Sequence, residues 1–278
     1  MSDYGWAVEL AEQVAREAGA LIQSGERDRP GERPEVESTK SSPTDVVTAM
    51  DKAVEDLLRT RLAQARPGDG LLGEEAGFEP GRTGLTWVLD PIDGTVNYLY
   101  RIPAYAVSVA LVEGDPTVPG AWRSLAGCVL QPATGAAWTA GSGLGARLGA
   151  RRLRLAPPPE LSQALVATGF GYRVERREGQ ARVLTGVLPR VRDIRRIGSA
   201  ALDLCGVATG TLDAYYERGV NAWDIAAARL VLSEAGGQVH GLRGAPAGPD
   251  MVVGAGDPLA GRLVELLTEL AADQDTAV

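Results

Sequence analysis

Apolar side chains recur at helical spacing over Ala7, Leu10, Ala11, Val14, Ala18, Leu21 and Ile22, which predicts an amphipathic helix stopped at Gly25. Val54, Leu57, Leu58 and Leu62 predict a second such helix, closed by Pro67-Gly68. The charged stretch from Glu26 to Glu37, with Pro30, Gly31 and Pro34, reads as a loop or an exposed β-ribbon. The pattern then becomes continuous. Leu71-Leu72-Gly73 and Trp87-Val88-Leu89 read as short buried strands, joined by a surface connection from Ala76 to Thr86. Tyr105 to Val112, Leu125 to Leu130 and Ala136 to Ala140 predict further strands of an antiparallel sheet, with Gly141 to Gly145 a hairpin turn.

Three consecutive prolines, Pro157 to Pro159, cannot continue a helix or a central strand. They place a division within one domain, into an N-terminal lobe of about residues 1–156 and a C-terminal lobe of about 157–278. Beyond them the pattern predicts a strand over Leu165 to Thr168 and a helix over Val174 to Val191. A helix capped by Ser199 and ended near Gly210 follows, then a strand over Leu212 to Glu217. A helix from Trp223-Asp224 to Gly236-Gly237, strands at Val239 and Met251 to Val253, and a terminal helix over Leu259 to Leu270 complete the chain.

Both short buried strands end in acids: Glu74-Glu75 after the first, Asp90 and Asp93 after the second. Pro91 is expected to end the strand and fix Asp90, with Asp93 capping a helix opened by Gly94 and Thr95. Two carboxylates 4 Å apart repel by about 4 kcal/mol at an effective dielectric near 20. A cation relieves that conflict, and helix-opening amides bind anions. Taken alone, the stretch is equally an Asp-Pro turn with a capping acid. Asp51 and Asp224, each in the first turn of a predicted helix, are either dipole-stabilising acids or parts of the same site. An all-oxygen set without Cys or His selects a hard cation such as Mg²⁺.

Composition narrows the chemistry. The 278 residues are 45% hydrophobic, enough for a sizeable core, and the net charge of −8 argues against direct nucleic-acid binding. Cys128 and Cys205 show no ligand-like spacing, so a reduced cytoplasmic protein is expected. The start of the chain lacks the basic-then-apolar order of a leader, and no run approaches the ~18 apolar residues of a membrane span. His240 is the only histidine, which leaves histidine-activated nucleophiles without support. The Arg192 to Arg196 cluster has the charge to attract phosphate, but reads first as a solvated face or a subunit contact.

The motif Asp90-Pro91-Ile92-Asp93-Gly94-Thr95-Val96-Asn97, with Gly73-Glu74-Glu75 before it and Trp223-Asp224-Ile225-Ala226-Ala227-Ala228 through Glu234-Ala235-Gly236-Gly237 after it, resembles the signatures of the inositol monophosphatase family. Lys40-Ser41-Ser42-Pro43 with Asp51, and Ile197-Gly198-Ser199-Ala200-Ala201 with Asp213-Ala214-Tyr215-Tyr216-Glu217, match as well, so the resemblance spans nearly the whole chain. It implies an α+β fold, a layered αβαβα sandwich, commonly a homodimer, with Mg²⁺-dependent and lithium-sensitive phosphomonoesterase activity. Carried over by position, Glu74, Asp90 and the Ile92 carbonyl bind one metal; Asp90, Asp93 and Asp224 bind a second; Glu74 serves a weaker third. Thr95 and Asp51 polarise the attacking water, and Glu75 is a neighbour. Gly94 and Thr95 hold the phosphate, while Ser199, Ala200 and Glu217 contact the ring hydroxyls with help from Asp93 and Asp224. The same scaffold also carries histidinol-phosphate phosphatases, and some relatives act with the transcription machinery.

Overall fold

The computed structural model describes residues 4–28, 33–34, 36–40 and 42–274. Pro30, Gly31 and Ser41, which the sequence pattern singled out, lie outside the described residues. Helix α1 (Gly5–Asp28) buries Ala7, Ala11, Val14, Ala18 and Ile22, the predicted face. It runs through Gly25 instead of stopping there, because that glycine admits a neighbour: a Cβ would lie 2.4 Å from the Met50 methyl. Strands β1 (Val36–Thr39) and β2 (Val46–Thr48) pair antiparallel as a ribbon, the first strand exposed and the second burying Val47 and Thr48. Thr48 then caps α2 (Ala49–Ala65) in a reciprocal box with Asp51.

The next strands are β3 (Gly70–Gly73), β4 (Gly77–Glu79) and β5 (Leu85–Asp93), followed by the short helix α3 (Thr95–Leu99). Strands β6 (Ala106–Gly114), β7 (Trp122–Gln131), β8 (Ala136–Gly141), β9 (Gly145–Leu148) and β10 (Arg151–Arg152) complete an eight-stranded sheet ordered β10-β9-β8-β7-β6-β5-β3-β4. The stretch read as a surface connection contains β4, which folds back on β3. Its only large apolar residue, Phe78, is exposed, so no periodicity marked it. Alternation in β5 sends Trp87 and Leu89 into one core and Val88 into another, which explains an unbroken apolar run.

A second, five-stranded sheet is built from β11 (Leu165–Thr168), β12 (Asp193–Arg195), β13 (Ala214–Glu217), β14 (Gln238–His240) and β15 (Val252–Ala255), in the order β12-β11-β13-β15-β14. Its helices are α4 (Val174–Val187), α5 (Ala200–Thr209), α6 (Ala222–Glu234) and α7 (Leu259–Glu269). The predicted helix to Val191 ends at Val187, and a 3₁₀ turn over Leu188–Arg190 follows, where Pro189 removes a helical donor. Helices α1 and α2 cover one face of the large sheet; α5 and α6 lie between the two sheets; α4 and α7 pack beyond the small one. The order of layers is αβαβα. Being central, α5 is buried from Ala200 through Ala208, which is why its sequence is apolar on every face apart from the buried Asp203.

Candidate active site

Strand β5 does not end at Pro91. It pairs with β6 through Asp90↔Ser108, shifts register, and resumes at Asp93↔Ala106. The extra residue is a bulge that Pro91 fits, since proline has no donor to give the ladder. In a regular strand positions 90 and 93 face opposite sides. The bulge brings both carboxylates to one side, where Asp224 in the first turn of α6 meets them: one oxygen from each lies within 4.8 Å of the others.

Asp93 does not cap the helix that follows it. Gly94, at φ +98°, is the cap of α3, in a space where a Cβ would come to 3.0 Å from the Ala104 carbonyl oxygen. Asp93 Oδ2 instead accepts from Ser199 Oγ at 2.6 Å and from the Ala201 amide at 2.7 Å, so it caps α5 from across the fold. This leaves the Ser199 hydroxyl spent on Asp93. Ser199 is buried and absent from the cavity wall, whereas Ala200 and Glu217 face that cavity.

The cavity holds about 510 Å³ and is also lined by Lys40, Glu74, Asp90, Ile92, Asp93, Gly94, Thr95 and Asp224. Parallel pairing of β3 with β5 sets Gly73 beside Leu89 and so brings Glu74 to the level of Asp90. Glu74 stands outside the three-aspartate cluster and pairs with Lys40 Nζ at 2.9 Å; the same ammonium meets Glu75 Oε1 at 2.5 Å. The Ile92 carbonyl accepts from Thr95 Oγ1 at 3.0 Å, and Asp51 Oδ1 lies 3.2 Å from that hydroxyl. Asp51 Oδ2 is held by the Thr48 amide and hydroxyl at 2.8 and 2.6 Å.

Crowding shows in the acidities. Burial, reinforced by the charges of Glu74, Asp93 and Asp224, holds Asp90 well above the usual carboxylate range. Burial and the charges of Asp93 and Glu74 do the same to Asp224. Burial raises Glu74 to about 7 against the opposing pull of Lys40, and raises Asp93 to about 6 against its hydrogen bonds from α5. Both oxygens of Asp90 are buried without a hydrogen-bond partner. A fully desolvated carboxylate pair of lone-pair sets, surrounded by further acids, fits a hard cation: the donors are all oxygen and converge.

Several cavity residues escaped the sequence reading. Arg196, just past β12, is exposed and lines the site, while Arg192 and Arg195 are engaged with Gln163 and Asp193 outside the cavity. Phe170 and Tyr172 also enter the wall, from the loop before α4. Tyr215 is buried and donates to Glu217 Oε2 at 3.0 Å. Trp223 both packs against the central core and borders the cavity. His240 is exposed on β14 and lies outside this wall.

Known proteins place the arrangement. The chain is 48% identical over 275 residues to the inositol-1-monophosphatase SuhB of Mycobacterium tuberculosis, with 94% of this chain and 92% of that protein covered. It is 40% identical over 210 residues to a protein of Xylella fastidiosa named Nus factor SuhB, covering 75% and 73% of the two chains. The solved structure of Mycobacterium tuberculosis SuhB superposes with a TM-score of 0.79 at 42% identity, over 99% of this chain and 100% of that one. The family model described as Inositol monophosphatase family matches residues 7–278, and with the αβαβα layers and the convergent acids it leads to one conclusion: the chain belongs to the inositol monophosphatase family.

Proposed function

We propose that the protein is a Mg²⁺-dependent phosphomonoesterase that hydrolyses myo-inositol monophosphate to myo-inositol and phosphate. The observation that carries this reading is the convergence of Asp90, Asp93 and Asp224 around two partnerless carboxylate oxygens in a cavity of substrate size. Asp90, Asp93 and Asp224 would hold one divalent ion, and Glu74, Asp90 and the Ile92 carbonyl another. Such ions supply charge neutralisation and Lewis-acid polarisation to phosphate-ester cleavage.

The chain's own groups orient the water. When Thr95 turns its one hydroxyl proton from the Ile92 carbonyl to Asp51 Oδ1, its oxygen is free to accept a hydrogen bond from a water beside it. As that water attacks phosphorus, the bond from phosphorus to the inositol oxygen breaks; the water's proton passes to Thr95 Oγ1, the Thr95 proton passes to Asp51, and the departing oxygen takes a proton from solvent. Burial lifts Asp51 to about 6, so the carboxylate is available as the final acceptor above that pH. Gly94 and Thr95 border the phosphate position, and Arg196, which lines the same cavity, adds a positive charge. Glu217, with Oε2 tied to Tyr215, offers Oε1 to a substrate hydroxyl; the neighbouring Ala200 keeps that side open.

The same acid at Glu217 suits an amino group, which keeps histidinol phosphate as a second substrate reading. A homodimer, a cytoplasmic location and lithium sensitivity belong to the same proposal. Exposed Tyr100 and Tyr172, which share an apolar hollow beside the cavity, suit a subunit contact. No helix among the described residues is long and apolar enough to cross a membrane. Phosphate release from myo-inositol 1-phosphate and histidinol phosphate, with Mg²⁺ titrated from zero, tests the reading. Mg²⁺-dependent turnover favouring the inositol ester is expected. No turnover on either, from folded protein, overturns it and favours a role in transcription like that named for the Xylella relative.

A further inference from the structure

One buried acid beside the site plays no part in the chemistry above. Glu55 is 1% exposed and lies one helical turn after Asp51, with Arg59 one turn further, so the three share a stripe of α2. Each reaches a different segment beside the cavity. Asp51 meets Thr95, Glu55 meets the tip of the β3–β4 hairpin, and Arg59 meets the β4 backbone.

The contacts of Glu55 are directional. Its Oε2 accepts from the Glu75 amide at 2.8 Å and its Oε1 from the Ala76 amide at 2.9 Å. Arg59 Nε donates to the same Oε1 at 2.8 Å, and Arg59 Nη2 to the Gly77 carbonyl at 2.5 Å. Gly73 makes the space, because a Cβ there would stand 2.2 Å from Glu55 Oε1. The last ladder pair of the hairpin is Gly73↔Gly77, which leaves residues 74–76 as a tip outside the sheet ladder. The carboxylate of Glu55 supplies two of the tip's amides with the acceptor the sheet does not give them. Glu74 is the first residue of that tip, and its side chain turns into the cavity.

We infer that Glu55 is a positioning residue: by fixing the hairpin tip from behind, it aims Glu74 at the Asp90 cluster and so sets the affinity of the site for a divalent cation. This rests on the reading of Glu74 as a metal ligand. Glu55 does not line the cavity and touches neither metal position nor substrate, so it acts through the backbone of residues 75 and 76. Loss of an outer partner of this kind typically weakens metal binding by about 10- to 100-fold.

The test is calorimetric titration of the substrate-free protein with Mg²⁺ alone, wild type against Glu55→Gln. The glutamine keeps the size but presents an NH₂ group where one amide needs an acceptor. The expected result is a Kd for Mg²⁺ raised about 10-fold or more, with the substrate KM at saturating Mg²⁺ unchanged. A Kd within twofold of wild type, in a variant that unfolds cooperatively, overturns the inference. Because Glu55→Gln leaves Arg59 with only the exposed Glu79 as counter-charge, Glu55→Gln/Arg59→Gln is measured beside it, with the same rise in Kd expected. Amide exchange on the metal-free wild type needs no variant: the Glu75 and Ala76 amides are expected to be protected, and exchange at the rate of an open loop overturns the inference. Wild-type protein that binds no Mg²⁺ refutes the metal reading itself, which separates the two failures.

Discussion

Stripping the protein of divalent ions should reverse the usual response of an acidic site to pH. Glu217 shows the magnitude. Burial, opposed by the Tyr215 hydrogen bond, carries its carboxyl from 4.5 to about 7. The native chain then binds a proton between these values that the unfolded chain has lost, so stability falls as pH rises through that interval. At about 1.4 kcal/mol per pH unit, Glu217 alone removes roughly 2 to 3 kcal/mol between pH 5 and pH 8. For a chain of this length, with an unfolding entropy near 2.1 cal/mol/K per residue, that lowers the midpoint by about 4 °C. Asp51, Glu74, Asp90, Asp93 and Asp224 are displaced in the same direction, so the full effect exceeds this. The acids whose acidity is strengthened by hydrogen bonds, Glu17, Asp115 and Asp193, start from ordinary values of 4.5, 3.8 and 3.8 and move downward, so they titrate largely below this interval and offset little of it. Thermal unfolding in chelator at pH 5 and pH 8, then with Mg²⁺, reads the outcome. The chelated midpoint should be lower at pH 8, and Mg²⁺ should restore more stability there, because binding needs the acids deprotonated. A chelated midpoint that is level or rising from pH 5 to pH 8 refutes the reasoning.

Two substitutions separate the roles of individual groups. Thr95→Ala removes the hydroxyl between Asp51 and the water, and should lower kcat about 100-fold or more while leaving Mg²⁺ affinity and KM near wild type; steady-state kinetics with a Mg²⁺ titration checks this. Tyr215→Phe frees Glu217 Oε2, and should raise KM for the inositol ester ~5-fold, on the scale of one hydrogen bond, with no change on an aryl phosphate that lacks ring hydroxyls.

Much of this site was legible in the chain because it is written locally. A buried apolar run followed at once by acids marks both Glu74 and Asp90, and the first-turn positions of Asp51 and Asp224 follow from helical periodicity. Long-range choices were not legible. Whether Asp93 caps α3 or α5 depends on a bulge, and the partner it chooses, Ser199, is 106 residues away. Strand β4 carries no alternating pattern, since it lies at the sheet edge with its aromatic exposed. Gly25 illustrates the same limit: its meaning depends on Met50, which only the packed helices bring near. Glu55 had a usable signal, the four-residue spacing Asp51, Glu55, Arg59, but such spacing is ordinary on exposed helices. Only burial separates the two cases.

The central claim is that the converging aspartates exist to hold a catalytic cation, and Asp90 tests it with the least collateral damage. Its carboxylate oxygens have no hydrogen-bond partner, so Asp90→Asn deletes a charge without breaking a protein hydrogen bond. The measurement is Mg²⁺-dependent phosphate release by this variant, alongside its chelated melting temperature at pH 8. Removing one like charge should raise that temperature, while hydrolysis falls at least ~100-fold for want of a ligand. A variant that hydrolyses at the wild-type rate, or that melts lower than wild type in chelator, contradicts the account.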